Sequence, residues 1–301
     1  MTLRLRDGID SSPCPRPHIA LPNTHQRVNP GLLFLMSLLP FFSGGCTDWL
    51  VNSLAFHPEP GNQVDPQSFD PSIQEVFFDS LDGVRLQAFY FPRANADRVV
   101  LFLHGNAGNA SHRIEHGQRI ANFDTNVLLL SYRGYGKSEG SPSEQGVYID
   151  AKSALRYLHT NLGFPVERTV ILGRSLGAAV AVEVSQNEPL AGLVLVSPMS
   201  SGQDMARHLS LSWLTWVAGN PFNSAEKIRG VTAPVLFIHG EVDRTIPVEM
   251  GRKLFELCPS TKEWKVVPGA GHNDLIWVAG DQYWEWIRKF IDSVAPLHAQ
   301  S

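Results

Sequence analysis

The sequence predicts an α/β fold: a mostly parallel sheet with helices on both faces and an antiparallel hairpin at one edge. Three observations predict it. Apolar runs such as Val99–Leu103 are unbroken, as strands buried on both faces require. Segments with helical spacing alternate with them, which is the pattern of repeated βα units. Ahead of these units, two β-rich runs flank Asp82-Gly83, a strong hairpin turn signal.

In chain order the hairpin is Glu75–Asp79 and Val84–Phe91. Strand Val99–Leu103 precedes a helix over Ser111–Phe123, and strand Val127–Ser131 follows. Ser141-Pro142-Ser143-Glu144 reads as a capping box with proline at the first helical position. The helix it opens carries Val147, Ala151, Ala154, Leu155 and Leu158 on one face. Strand Thr169–Leu172 runs into a helix over Leu176–Gln186, and strand Gly192–Ser197 follows. After an irregular insert come strand Pro234–His239, helix Val248–Leu257, strand Glu263–Val267 and an aromatic-rich helix over Gln282–Val294.

At 301 residues and 43% hydrophobic, the chain is long enough for one large core. A formal charge of −4, with no basic stripe, argues against a nucleic-acid partner. Cys14, Cys46 and Cys258 are too few and too scattered for a disulfide framework, and no C-x-x-C pair suggests zinc or redox work.

Residues 1–46 read as a disordered lead followed by a signal segment. The first thirty are rich in proline, arginine and polar residues. The apolar run Gly31–Phe42 is too short to cross a bilayer as a helix but suits a signal h-region. Ser43-Gly44-Gly45-Cys46 then resembles a bacterial lipoprotein cleavage site, with Cys46 as the lipidated first residue. Ser43 departs from the leucine usual three residues before such a cysteine, and the positive region is thin. A true start near Val28 would account for the long lead. The expectation is a cell-envelope protein, exported or membrane-anchored, with a cytoplasmic one as the alternative. Residues 47–72 read as a tether, 73–296 as the catalytic domain, and 199–233 as a small lid within it.

Gly173-Arg174-Ser175-Leu176-Gly177 is G-x-S-x-G between an expected strand and an expected helix. A sharp strand-to-helix turn lifts a serine hydroxyl out of the sheet, and the flanking glycines let backbone pack close to it. A serine is a weak nucleophile without a base, and the base needs an orienting group. The strand before Gly240-Glu241-Val242-Asp243 and the strand before Pro268–His272 each end in a candidate, acid first and then base. Ser175, Asp243 and His272 are therefore the expected triad, with Glu241 as the other candidate acid. The backbone amides of Leu176 and Asn106 are the expected oxyanion donors, and Ala107 is a rival to Asn106. Leu209–Val217, with Trp213 and Trp216, would line an acyl pocket or cover the core. Arg133 fits a structural ion pair better than a substrate contact, and Asp274 reads as loop packing.

Together His104-Gly-Asn-Ala-Gly-Asn109, Ser131-Tyr-Arg-Gly-Tyr-Gly-Lys-Ser-Glu-Gly140, the Ser175 pentapeptide, His239-Gly-Glu-Val-Asp243 and Pro268-Gly-Ala-Gly-His-Asn-Asp274 resemble the α/β-hydrolase superfamily. More narrowly they are similar to its small-lid branch, which includes hydrolases of protein palmitoyl thioesters and many bacterial homologues. The resemblance spans about residues 73–294. It implies an α/β-hydrolase fold, hydrolysis of ester or thioester acyl bonds through an acyl-enzyme, a small-molecule or acylated substrate, and no metal or organic cofactor. A peptidase or amidase of the same fold is the alternative, as is a catalytically silent binding protein. Substrate identity and oligomeric state are not legible in the sequence.

Overall fold

The computed structural model describes residues 52–215 and 219–297. The signal segment, Cys46 and Trp216 lie outside the described residues. Among those described, no helix is long and apolar enough to cross a membrane.

Ten strands are present among the described residues: β1 His57–Pro58, β2 Gln74–Asp79, β3 Arg85–Phe91, β4 Val99–Leu103, β5 Ala107–Gly108, β6 Asn126–Ser131, β7 Thr169–Arg174, β8 Gly192–Val196, β9 Val235–Gly240 and β10 Lys262–Val267. Eight of them form one sheet in the order β10-β9-β8-β7-β4-β6-β3-β2. Every pair from β10 to β6 is parallel; β3 pairs antiparallel with both β6 and β2. The expected edge hairpin is thus in place.

Helices among the described residues include α1 Ile114–Ala121, α2 Glu144–Thr160, α3 Leu176–Val184, α4 Gly202–His208, α5 Ser224–Lys227, α6 Val248–Leu257, α7 Leu275–Ala279 and α8 Asp281–Val294. They divide the core in two. Side chains of α2, α3 and α6 cover one face of the sheet, with Leu101, Leu128, Ile171 and Phe237 beneath them. Side chains of α1 and α8 cover the other, over Val100, Leu129, Leu172 and Ile238. Strands β4, β6, β8 and β9 are buried at every residue, because both faces are covered.

This topology fixes where a ligand can enter. The chain leaves β4 toward β6 on one side and returns to β7 on the other, and β4 and β7 are neighbours with Leu103 opposite Gly173. The loops leaving these two strands diverge, which opens a crevice at their C-terminal ends. One of those loops contains Asn106 and the other contains Ser175.

Three expectations need correction. Helix α2 begins at Glu144, capped by the Ser143 side chain, which accepts from the Gly146 amide. Ser141 and Pro142 lie outside it, because Ser143 is extended (φ −149°, ψ 163°) and is itself the N-cap; Pro142 packs instead beside Gly134, where a Cβ would meet the proline ring. The expected helix over Ser111–Phe123 starts as a 3-10 turn, Ala110–Arg113, and ends at Ala121. The largest difference is in the expected tether. Its described part is packed on the domain: Phe56 is buried against Phe222, and β1 pairs with β5. Pro60 bridges Gly136, and Pro66 is buried.

Candidate active site

Strand β7 ends in Arg174, and the next residue turns sharply. Ser175 has φ 55° and ψ −119°, a left-handed conformation that a non-glycine residue adopts only under constraint. The neighbours impose it. Gly177 lies against the carbonyls of Leu103 and His104, and Gly173 against the backbone of Gly177 and Ala178, so neither site has room for a Cβ. Close packing of α3 on β4 therefore holds the hydroxyl out over the sheet edge.

The loops after β9 and β10 bring the acid and the base to that hydroxyl. His272 Nε2 lies 3.1 Å from Ser175 Oγ, and His272 Nδ1 lies 2.7 Å from Asp243 Oδ2. A carboxylate can only accept, so the proton sits on Nδ1 and the Nε2 lone pair faces the serine. Asp243 is itself fixed: its Oδ1 accepts from the Thr245 and Ile246 amides at 2.9 and 2.8 Å. Burial pushes its carboxyl up, but hydrogen bonds from His239, His272 and the Ile246 amide outweigh that and hold it well below the carboxylate range. It is therefore ionised at neutral pH.

The rival acid is elsewhere. Glu241 Oε2 accepts from the Gly269 amide at 3.0 Å, which shapes the histidine loop without touching the imidazole. Asp274 caps the Gly271 amide at 2.7 Å. Arg133 makes a buried ion pair with Asp150 and a bidentate one with Asp82, so it is structural, as expected.

Sequence reasoning did not single out Arg174 as a site residue, yet its guanidinium donates to the His272 carbonyl at 3.0 Å and ties the serine turn to the histidine loop. The signal was present in its position beside Ser175, but the partner is 98 residues away.

Asn106 and Leu176 both border the same cavity as Ser175 and His272, and Ala107 borders it as well. Among the described residues, neither the Asn106 nor the Leu176 amide donates to an acceptor in the surrounding loops and caps. The neighbouring carbonyls are held from behind. His104 Nδ1 donates to the Gly105 carbonyl at 2.7 Å; the Asn106 carbonyl accepts from the His57 amide at 3.1 Å and from the Tyr135 hydroxyl at 2.8 Å. In a planar trans peptide the N–H points opposite to the C=O. Each contact therefore also orients the next amide, that of Asn106 in the first case and that of Ala107 in the second.

The cavity is about 350 Å³, within the range of small-molecule sites. Its walls are apolar: Met199, Met205, Leu209, Phe222 and Ile246 from the body and insert, and Leu54 from the N-terminal segment. The insert thus does line a pocket, through α4 and Leu211, but Trp213 does not. Its side chain is 61% exposed and turned to solvent from a 3-10 turn, away from the cavity wall. No Asp or Glu is among the described lining residues, and no group of three His, Cys, Asp or Glu side chains among the described residues could hold a metal ion.

Burial holds the His104 imidazole down at about 4. His116 is likewise held at about 4, by burial and by the positive charges of Arg174 and Arg113. In the unfolded chain both would titrate near ~6.5. Unfolding therefore takes up protons below that value, and stability falls as pH drops from about 6.5 toward 4. For His104 alone the difference is on the order of 3 kcal/mol. The melting temperature is expected to fall between pH 7 and pH 5, and His104→Gln should make that fall shallower.

Comparison with known proteins places these features. A family model described as serine aminopeptidase, S33, matches residues 94–229. An uncharacterized protein of Mycobacterium tuberculosis is 36% identical over 81% of this chain and 88% of its own length. The alpha/beta hydrolase domain-containing protein WAV2 of Arabidopsis thaliana is 32% identical over 77% of this chain and 83% of its own length. Among solved structures, the Pyrococcus furiosus esterase Pf2001 superposes with a TM-score of 0.67 at 21% identity, covering 79% of this chain and 98% of that one, which is a likeness of fold.

Proposed function

The chain belongs to the α/β-hydrolase superfamily, and from that premise we propose that it is a serine hydrolase cleaving ester or thioester bonds of apolar acyl groups, with Ser175 as nucleophile, His272 as general base and Asp243 as its orienter. The observation that carries this reading is the Ser175–His272–Asp243 chain of contacts opening onto an apolar cavity. His272 accepts the Ser175 proton as Oγ attacks the acyl carbonyl, and the amides of Leu176 and of Asn106 or Ala107 receive the developing oxyanion. His272 then gives the proton to the leaving alcohol or thiol, and water repeats the sequence in reverse on the acyl-enzyme.

The family model's description raises an aminopeptidase as the second reading. Such an enzyme must hold a substrate ammonium group, and a buried ammonium needs a carboxylate partner. The described lining residues supply none. An acyl chain asks only for carbon contact, which the walls offer at about 0.8 kcal/mol per buried CH₂.

The test is a panel of acyl esters and thioesters of graded chain length beside amino-acid amides. Hydrolysis should rise from acetyl to medium chains and be negligible on the amides. Ala206 borders the cavity on α4, so Ala206→Trp should fill it and abolish the gain from longer chains while acetyl esters remain substrates. Equal loss on every chain length would mean that acyl groups lie elsewhere.

We also propose an envelope location, resting on Gly31–Cys46. Several acyl chains on Cys46 would anchor the enzyme stably, whereas one chain binds only marginally. On fractionation the full chain should sediment with membranes and Cys46→Ala should appear as a soluble envelope protein. Both in the cytoplasm, with residues 1–46 intact, would refute it.

A further inference from the structure

The N-terminal segment that precedes the sheet is built into the site. Residues 54–63 run along the outside of the Asn106–Asn109 loop and are fastened to it at three points. The His57 amide donates to the Asn106 carbonyl at 3.1 Å, and the Glu59 amide to the Gly108 carbonyl at 3.3 Å. Asn109 completes the fastening. It is fully buried; its Nδ2 donates to the carbonyls of Glu59 at 3.0 Å and Gly61 at 2.8 Å, while its Oδ1 accepts from the Ser111 amide and hydroxyl. Ser111 Oγ in turn accepts from the Gln63 amide at 2.9 Å. On the cavity side the same segment contributes Leu54 and Ala55 to the wall, and Phe56 anchors it against Phe222.

We propose that residues 54–63 are a catalytic strap: through Asn109 and the His57 amide they fix the Asn106–Ala107 peptide, whose N–H, that of Ala107, serves as an oxyanion donor, and through Leu54 they close the acyl cavity. This rests on the hydrolase reading above. The Asn106–Ala107 peptide carries the Ala107 N–H, so a rotation of that plane misaims this donor, whereas the Asn106 N–H lies in the preceding plane, which His104 holds. Positions that aim donors at an oxyanion act mainly in the transition state, so losing them lowers kcat more than it raises KM. The family-model match begins at residue 94, well beyond the strap.

The experiment uses the full-length protein and two variants. Asn109→Asp keeps the acceptor for Ser111 but sets a carboxylate oxygen against the Glu59 and Gly61 carbonyls. His57→Pro removes one N–H from an extended position whose side chain is exposed. Hydrogen exchange reads the strap at the His57, Glu59 and Gly61 amides; in His57→Pro only the latter two report. Turnover of a short and a medium acyl ester is divided by the number of sites that a fluorophosphonate titrates, which removes any misfolded fraction from the comparison. Asn109→Asp should open the strap to exchange and lower kcat per titrated site by about 10- to 100-fold, with KM for the short ester nearly unchanged. His57→Pro should lower kcat in the same direction by about tenfold. Leu54→Ser should instead reduce the preference for the medium chain.

An open strap with wild-type kcat per titrated site overturns the proposal, and so does a strap that stays closed in Asn109→Asp. The hydrolase reading fails in a different way. A wild-type enzyme that neither turns over esters nor reacts with the probe would remove that reading, whatever the exchange shows.

Discussion

Ser175→Ala is expected to lower ester hydrolysis by at least about 10⁴-fold while leaving the melting temperature close to that of the wild type. Among the described residues no other hydroxyl or thiol lies against His272 Nε2, and Cys258 is buried in the core away from the cavity. The substitution removes an oxygen from a side chain at the cavity edge and leaves the Gly173 and Gly177 contacts that shape the turn. The strained φ of Ser175 remains as a cost, so the fold is not expected to gain much from the change. His272→Ala should be as damaging as Ser175→Ala, because the two act as a unit.

Asp243→Asn should cost on the order of 10³- to 10⁴-fold in kcat. Two amides, of Thr245 and Ile246, require an acceptor at the Oδ1 position. The asparagine carbonyl must take that place, which turns its NH₂ toward His272 Nδ1. That nitrogen must then accept, so the imidazole proton moves to Nε2 and faces Ser175 Oγ, where a base is needed. Glu241→Gln should cost far less, since Glu241 only holds the Gly269 amide. Parallel kinetics of the two variants check the assignment. A greater loss in Glu241→Gln would mean that the acid is misassigned.

The sheet, its edge hairpin and the loops that carry Ser175, Asp243 and His272 were legible because each rests on a local signal: an unbroken apolar run, a turn dipeptide, a strand that ends in a glycine-flanked polar residue. What the sequence hid depends on partners distant along the chain. Residues 47–72 read as a tether because Pro58-Glu59-Pro60-Gly61 and Asp65-Pro66 break every periodic pattern. Their described part is nonetheless ordered, through backbone bonds to a loop some fifty residues on. The small apolar cluster Leu54-Ala55-Phe56 was the available signal, since a flexible tether has no use for a buried phenylalanine. Trp213 misled for the opposite reason: an apolar stretch with no clear period does not say which of its residues turn inward, and Met205 and Ala206 of α4, with Leu209 at its C-cap, border the cavity instead. The choice between Asp243 and Glu241 came down to loop geometry, two residues apart on the same turn.

Ser175 is expected to carry the acyl group between two half-reactions. The direct measurement is intact-protein mass spectrometry on enzyme mixed briefly with an excess of a medium-chain thioester and quenched in acid, followed by peptide mapping. One acyl adduct on the peptide that contains Ser175, formed within a single turnover and absent from Ser175→Ala, is the expected result. Turnover that proceeds with no adduct, or an adduct on any other residue, would contradict the account.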